Sequence, residues 1–197
     1  MGAVLVIVLV LVGIAVLIGL ALMLSYNRFI SQRTLIKNAW SNVETELKRR
    51  YDLIPNLVET VKGYAAQERT VLEEVTKARA SVAGIKATPE LVNDPAAFQK
   101  FQQAQAELGG ALSRLLVTVE KYPDLKSNQN FLALQSQLEG TENRIAVERM
   151  RYSEAVRDYN TRIRLFPGSL VASLRGFKEK AYFEATPGSQ EPPKVKF

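Results

Sequence analysis

The chain has 197 residues, with 26 Lys and Arg against 20 Asp and Glu, a formal net charge of +6, and neither Cys nor His. The lack of Cys and His excludes disulfides, thiolate zinc sites, Ser-His-Asp triads and haem ligated by His. Acidic residues alternate with basic ones almost throughout, whereas a nucleic-acid-binding protein needs a dense basic stripe, so we expect no nucleic-acid partner. An enzyme built on this chain would have to use carboxylate, Lys, Tyr or Ser chemistry.

The first predicted element is a transmembrane anchor over residues 1–25. Ala3 to Leu24 carry no charge, and as a helix they span about 33 Å, enough to cross a hydrocarbon core of ~30 Å. A cleaved signal peptide is the alternative, with small residues available at Gly19-Leu20-Ala21. Against it, no Lys or Arg precedes the run, and the run is longer than a signal core. Ala15 and Gly19 form a small-xxx-small pair that would let two anchors pack closely.

Basic residues flank the apolar run on one side only. Arg28, Arg33 and Lys37 follow it, and no Lys or Arg precedes it. Cytoplasmic flanks of membrane helices carry an excess of Lys and Arg. We therefore predict a single-pass protein with its N-terminus outside and the rest of the chain in the cytoplasm.

From residue 26 onward, apolar residues recur at steps of three and four, which predicts helices and no sheet. The first helix is expected over about residues 26–50. Asp52 can cap a helix, and Pro55 fits only a first turn or a kink. This favours a tight reversal near Arg50 to Leu53, with one kinked continuous helix as the alternative.

Three further helices are predicted, over about residues 53–86, 94–122 and 129–165. Asn93 or Asp94 caps the third of the four, with Pro95 just inside its start. Short loops make each helix antiparallel to the next, so we predict an all-α fold in which residues 26–166 form an up-and-down four-helix bundle. The aromatic side chains are expected in the core, including Trp40, Tyr64 and Tyr152.

The last part of the chain, residues 167–197, is predicted to be a short amphipathic segment followed by an extended tail. Its first half mixes apolar and aromatic residues with Lys and Arg, which fits a segment in the lipid headgroup region. A tail packed on the bundle is the alternative. Residues 186–197 are rich in Pro, Gly and polar groups, as a linker or peptide tail is, and the terminal Phe197 is a candidate anchor for a protein partner.

Up-and-down connectivity would bring the start of the first helix, the loop at residues 85–93 and the end of the fourth helix to one face. The basic residues of that face and of the following segment, here called the basic collar, are Arg28, Arg33, Lys37, Lys86, Arg157, Arg162, Arg164, Arg175, Lys178 and Lys180. Each basic residue near an anionic leaflet adds on the order of 1 kcal/mol of attraction. We hypothesise that the collar holds the bundle against lipid; ordinary solvated helix ends are the alternative.

Three stretches resemble the LemA family of bacterial membrane proteins: "AWSNVETELKRRYDLIPNLVETVKGYAAQERTVLEEVTKARA", "YNTRIRLFPG" and "PPKVKF". The resemblance implies a four-helix bundle behind one N-terminal membrane helix, in the bacterial cytoplasmic membrane. It implies no enzyme activity, and a magnetosome-associated relative suggests work at specialised membranes for some members. Many members resemble His-Glu where this chain has Gln67-Glu68, so a metal or pH role for a histidine does not carry over.

Function is therefore expected to be structural. The first hypothesis is a non-enzymatic scaffold that self-associates at the membrane and organises or shapes it, with no cofactor or metal. An adaptor that recruits a cytoplasmic enzyme through the bundle surface or the tail is a second hypothesis. A carboxylate-based sensor or enzyme is a third, although neighbouring acids such as Glu73 and Glu74 point about 100° apart on a helix and do not converge on one substrate.

Overall fold

The computed structural model describes residues 1–183, and every regular element in that range is helical. The helices are α1 (Gly2–Tyr64), α2 (Arg69–Ala83), α3 (Pro95–Val119), α4 (Pro123–Lys126), α5 (Gln129–Arg164) and α6 (Gly168–Arg175), with a 3₁₀ turn at Leu91–Asn93. The prediction of an all-α fold that begins with a long apolar helix is confirmed. The predicted tail, residues 186–197, lies outside the described residues, as does its terminal Phe197.

The reversal predicted near Arg50 to Leu53 is wrong, because α1 passes through Pro55 without a break and ends at Tyr64. A proline inside a helix removes the hydrogen bond to the carbonyl four residues earlier, which here belongs to Tyr51. The Arg79 guanidinium of α2 donates a hydrogen bond from Nε to that carbonyl at 3.3 Å and lies 3.7 Å from the centre of the Tyr51 ring. This replacement donor offsets the hydrogen bond that Pro55 cannot make.

The first reversal of the chain comes instead at residues 65–68. Ala65 is fully buried, and its N–H donates to the Val61 carbonyl at 2.8 Å at the end of α1. The helix predicted over 53–86 is therefore divided between α1 and α2. Because α2 has 15 residues, it is about 22 Å long and runs back along only part of α1.

Local capping fixes the starts of α3 and α5. The Asp94 carboxylate accepts hydrogen bonds from the N–H groups of Ala96 and Ala97 at 3.0 and 3.1 Å, and Pro95 occupies the first turn, as predicted. The Asn128 side chain accepts a hydrogen bond from the N–H of Phe131 at 3.0 Å at the start of α5. A side-chain oxygen at the N-cap satisfies N–H groups that have no partner within the helix.

Long helices pair in opposite directions. Between α1 and α5, Asn42 contacts Glu148 at 3.3 Å, Glu46 contacts Arg144 at 2.9 Å and Tyr64 contacts Asn128 at 2.9 Å. Between α2 and α3, Glu74 contacts Arg114 at 2.9 Å, and Gln67, just before α2, contacts Tyr122, just after α3, at 3.0 Å. Residue numbers fall on one helix as they rise on its partner, so both pairs are antiparallel.

Two of the three aromatic residues named for the core are there. Trp40 and Tyr152 are completely buried, which confirms the prediction. The prediction that Tyr64 lies in the core is wrong, because its side chain is 46% exposed at the end of α1. Its hydroxyl accepts a hydrogen bond from the Asn128 amide. The turn that follows Tyr64 leaves that side of α1 open to water.

Two hydrophobic clusters form the core between the packed helices. The anchor-proximal cluster contains Phe29, Trp40, Phe98, Tyr152 and Tyr159, among others. The distal cluster contains Leu57, Val75, Leu112, Leu115 and Phe131, among others. The two clusters draw on different stretches of α1, α3 and α5, and polar side chains occupy the level between them.

We call that level the polar belt: Arg50, Gln105, Glu142 and Arg149. Arg50, which is 2% exposed, donates from one nitrogen to both Glu142 oxygens at 2.9 and 3.1 Å and from the other to the Gln105 side-chain carbonyl. Burial, and then the nearby Arg50 charge, lower the pKa of Arg149 to about 10, against the opposing effect of Glu142. Arg50 therefore has Glu142 as its ion-pair partner, whereas the Arg149 guanidinium lies 4.8 Å from the centre of the Phe183 ring and beyond ion-pair distance of Glu142.

Residues 176–183, here called the docked segment, pack on the anchor-proximal cluster. The Asn160 side chain donates to the Lys180 carbonyl at 2.9 Å and accepts from the Lys180 N–H at 3.0 Å. The Tyr152 hydroxyl donates to the Ala181 carbonyl at 2.6 Å, and the Phe183 ring lies 5.1 Å from the Phe98 ring. A tail packed on the bundle therefore describes this segment, whereas α6 lies nearer to the anchor.

Candidate functional site

Helix α6 lies against α1 at the end of the apolar run. Tyr26 and Arg175 line one groove of about 320 Å³ between the two helices. The Arg175 guanidinium lies 4.9 Å from the centre of the Tyr26 ring and contacts its hydroxyl at 3.3 Å. Leu170 is 43% exposed, and Leu174, which also lines this groove, is 71% exposed. The end of the anchor is thus flanked by a second helix with exposed apolar side chains.

Arg28 and Arg162 are brought together in a groove of about 570 Å³ between α1 and the corner that joins α5 to α6. Leu24, the last residue of the apolar run, and Phe166 line the same groove. Gly168 holds this corner tight, because a Cβ added there would lie 2.2 Å from the Arg162 carbonyl oxygen. Only glycine fits so close an approach.

Arg33, Lys37 and Lys180 line a second groove, of about 390 Å³, farther from the anchor. The Arg33 guanidinium lies 5.7 Å from the centre of the Phe177 ring, and Lys180 donates from Nζ to the Asn93 side-chain oxygen at 2.5 Å. Burial, and then the Arg33 charge, lower the pKa of Lys180 from its usual value. Arg33 and Lys180 thus contact other protein groups, and Glu90 lines the same groove as Lys37.

Arg157 and Arg164 line a third groove, of about 450 Å³. Arg164 donates from Nε and Nη2 to the two Glu179 oxygens at 2.7 and 2.8 Å. These hydrogen bonds lower the pKa of Glu179 and raise that of Arg164. Arg164 is therefore already paired with a carboxylate.

Lys86 and Lys178 are exposed to water. The loop after α2 lies beside α1 at the level of Trp40, whose indole nitrogen donates to the Ala87 carbonyl at 3.1 Å. That level is about 24 Å along the helix from Leu24. Members of the basic collar therefore occupy several levels of the bundle, because α2 is too short to return to the anchor.

Ala15 and Gly19 lie within the apolar run and are exposed in the isolated chain. A Cβ added at Gly19 would meet no atom within 4 Å. The helix surface around this pair is thus free of contacts with the remainder of the described chain.

Sequence reasoning missed two residues important to this end of the molecule, Asn160 and Gly168, and it placed Tyr152 in the core without its hydrogen-bonding role. Asn160 and Tyr152 hold the backbone of the docked segment, and Gly168 allows the close corner. A polar Asn160 one position after Tyr159 of the apolar stripe was the available signal for a buried hydrogen-bonding role. The docked segment itself carries no such signal, since its partners lie 20 or more residues away in sequence.

The anchor and the helical body together define a membrane-anchored protein whose regular elements within residues 1–183 are all helices. The chain belongs to the LemA family, whose family model matches residues 39–197. It is similar to Magnetosome protein MamQ of Magnetospirillum gryphiswaldense and to Magnetosome protein MamQ 2 of Paramagnetospirillum magneticum, each 28% identical over 183 residues, 85% of this chain and 67% of the relative. It is also similar to Protein LemA of Metamycoplasma hominis, 23% identical over 160 residues, 81% of this chain and 69% of the relative.

Proposed function

We propose that this chain is a non-enzymatic scaffold protein of the bacterial cytoplasmic membrane that self-associates there, with its bundle on the cytoplasmic side. The observation that carries the proposal is the unbroken course of α1, which is 63 residues long and runs from the anchor into the core. Phe29 is already completely buried five residues after the apolar run ends. The bundle is therefore fixed in direction by its anchor, so contacts between anchors would align the bundles.

The chemistry of the carboxylates also favours a structural role. Glu46, Glu74, Glu142, Glu148 and Glu179 each contact an arginine at 2.6 to 2.9 Å. A catalytic site needs convergent groups with perturbed pKa values in a pocket. Acids that are ion-paired with arginine instead help to hold the helices in place.

The names of the relatives support a function of this chain at a membrane. Two of them are called magnetosome proteins, and we extend from this the idea that anchored bundles gather at, or shape, a particular stretch of membrane. The basic collar would hold each bundle against an anionic leaflet, with the exposed side chains of α6 at the lipid surface.

Self-association through the anchor is tested with cysteines, since the chain has none of its own. Ala15→Cys in native membranes is expected to form disulfide-linked dimers under mild oxidation. Leu17→Cys is the matched control, because each residue turns a helix by about 100° and Leu17 lies on the opposite face. We expect several-fold less crosslinking there. Equal crosslinking at both positions, or a monomeric mass for the detergent-purified full chain, would contradict the proposal.

Orientation is tested with Ser81→Cys, on the exposed surface of α2. In intact cells this thiol is expected to resist a membrane-impermeant maleimide and to react after the cytoplasmic membrane is permeabilised. Gly2→Cys, at the other end of the anchor, is expected to react without permeabilisation. The opposite labelling pattern would place the bundle outside the cytoplasm.

A further inference from the structure

The groove between α1 and the α5–α6 corner lies where the apolar run ends. Its volume of about 570 Å³ is within the range of ligand-binding clefts, roughly 300 to 1,000 Å³. Leu24 forms one wall and Phe166 another. If the apolar run spans the bilayer, this groove opens at the boundary between hydrocarbon and headgroups.

The basic side chains of the groove have no anionic partner among residues 1–183. Neither Arg28 nor Arg162 lies within 4 Å of a carboxylate there, whereas Arg164, two residues on, is paired with Glu179. The Nε of Arg162 is buried and has no hydrogen-bond partner in the described part of the chain. Buried donors of this kind are ordinarily satisfied, so the Arg162 guanidinium retains hydrogen-bonding capacity that the described residues leave unused.

One acid, Asp158, lines the same groove but lies beyond ion-pair distance from both arginines within the described residues. The groove therefore has two guanidinium groups, one carboxylate and the hydroxyls of Ser25 and Thr161. Guanidinium groups bind phosphate through paired N–H donors in a planar fork. The polar end of the groove thus fits a phosphate that carries one negative charge.

The apolar end of the groove is unusually open to solvent. Phe166 is 82% exposed and Leu165 is 61% exposed. Both follow α5 directly, at the corner that Gly168 keeps close to Arg162. In water such side chains would be unfavourably hydrated, whereas beside the anchor they would contact acyl chains.

We propose that this groove binds one anionic phospholipid, with its phosphodiester between Arg28 and Arg162 and its acyl chains along Leu24 and Phe166. The proposal rests on the membrane anchoring proposed above. It adds a discrete lipid site to the diffuse attraction of the basic collar, and it assigns the exposed corner after α5 to contact with the same lipid.

The test is a titration of the full chain in detergent with phosphatidylglycerol, followed by native mass spectrometry. Arg28→Gln with Arg162→Gln is expected to weaken the apparent affinity by about 10-fold or more, since each cation contributes several-fold. Arg69→Gln with Lys121→Gln is the control, because it removes the same charge from the distal end. Phosphatidylcholine, which has no net charge, is expected to bind the unmodified chain at least several-fold more weakly.

Three outcomes would overturn the site. Equal losses in the groove pair and the distal pair, or an equal loss in Arg157→Gln, would mean that only overall charge matters. Displacement of the lipid by millimolar inorganic phosphate would assign the groove to free phosphate. Unchanged affinity in the groove pair, with unchanged helical circular dichroism, would show that no lipid binds there. The oligomeric mass is read from the same spectra, so loss of lipid binding is distinguishable from loss of self-association.

A second readout reports on the apolar wall. Phe166→Cys, labelled with a polarity-sensitive fluorophore, is expected to shift to the blue when the full chain is placed in phosphatidylglycerol vesicles and to be quenched by brominated acyl chains. Leu132→Cys, exposed at the far end of α5, is expected to show neither change. Identical spectra for the two labels would show that Phe166 does not contact the lipid.

Discussion

Replacement of Trp40 with alanine is expected to lower the free energy of unfolding of the full chain by about 3 to 5 kcal/mol. Trp40 is completely buried, and its ring lies 5.8 Å from Phe98, 5.3 Å from Tyr152 and 6.2 Å from Phe183. These aromatic neighbours belong to three different parts of the chain, so they cannot all move in to fill the cavity. Guanidinium chloride titration in detergent, followed by circular dichroism, measures the loss.

The same change is expected to loosen two segments that Trp40 holds. Its indole nitrogen donates to the Ala87 carbonyl in the loop after α2, and its ring stacks on Phe183 in the docked segment. Trypsin is therefore expected to cleave after Lys86 and Lys180 several-fold faster in Trp40→Ala than in the unmodified chain.

Two variants make the comparison specific. Trp40→Phe keeps an aromatic ring but loses the hydrogen bond and some volume, and is expected to cost about 1 to 2 kcal/mol. Leu35→Ala, at a site 58% exposed on the same helix, is expected to change stability by less than about 0.5 kcal/mol. If Trp40→Ala unfolded at the same denaturant concentration as Leu35→Ala, the anchor-proximal cluster would not hold the bundle together.

Helix starts and helical faces were predictable because they depend on neighbours in sequence. Asp94 and Pro95 act within one turn, and the spacing of Trp40 and Tyr152 in apolar stripes placed both in the core. Pro55 was misjudged for the opposite reason. The Tyr51 carbonyl that Pro55 leaves without its usual N–H partner accepts a hydrogen bond from Arg79, and no local pattern shows that a donor 28 residues away will be in reach.

The candidate site shows the same division. That Arg28 and Arg162 share the end nearest the anchor follows from up-and-down connectivity, which brings the start of the first helix beside the end of the last. The level of the loop after α2 does not follow, because it depends on where α1 ends, and that depended on Pro55. For the docked segment, the sequence offered packing on the bundle only as an alternative, since Asn160 and Tyr152 hold it through backbone atoms rather than by an apolar repeat.

The second large effect concerns the polar belt. Glu142→Gln is expected to lower the free energy of unfolding by about 2 to 3 kcal/mol, because it leaves the buried Arg50 without its ion-pair partner and removes the nearby negative charge that favours the charged form of Arg149. A fully buried pair loses about 3 to 5 kcal/mol when one partner is removed. The Glu142 side chain is 41% exposed, and water there screens part of the interaction, so we expect a smaller loss.

A matched control and a rescue separate charge from shape. Glu139→Gln, also on α5 and exposed to water, is expected to change stability by less than about 0.5 kcal/mol. Adding Arg149→Met to Glu142→Gln is expected to recover at least about half of the loss, since one guanidinium then remains, and Gln105 still accepts its hydrogen bond. A Glu142→Gln variant as stable as Glu139→Gln would mean that water, rather than Glu142, stabilises the two arginines. A loss that Arg149→Met leaves unchanged would place the whole effect in the contact between Arg50 and Glu142.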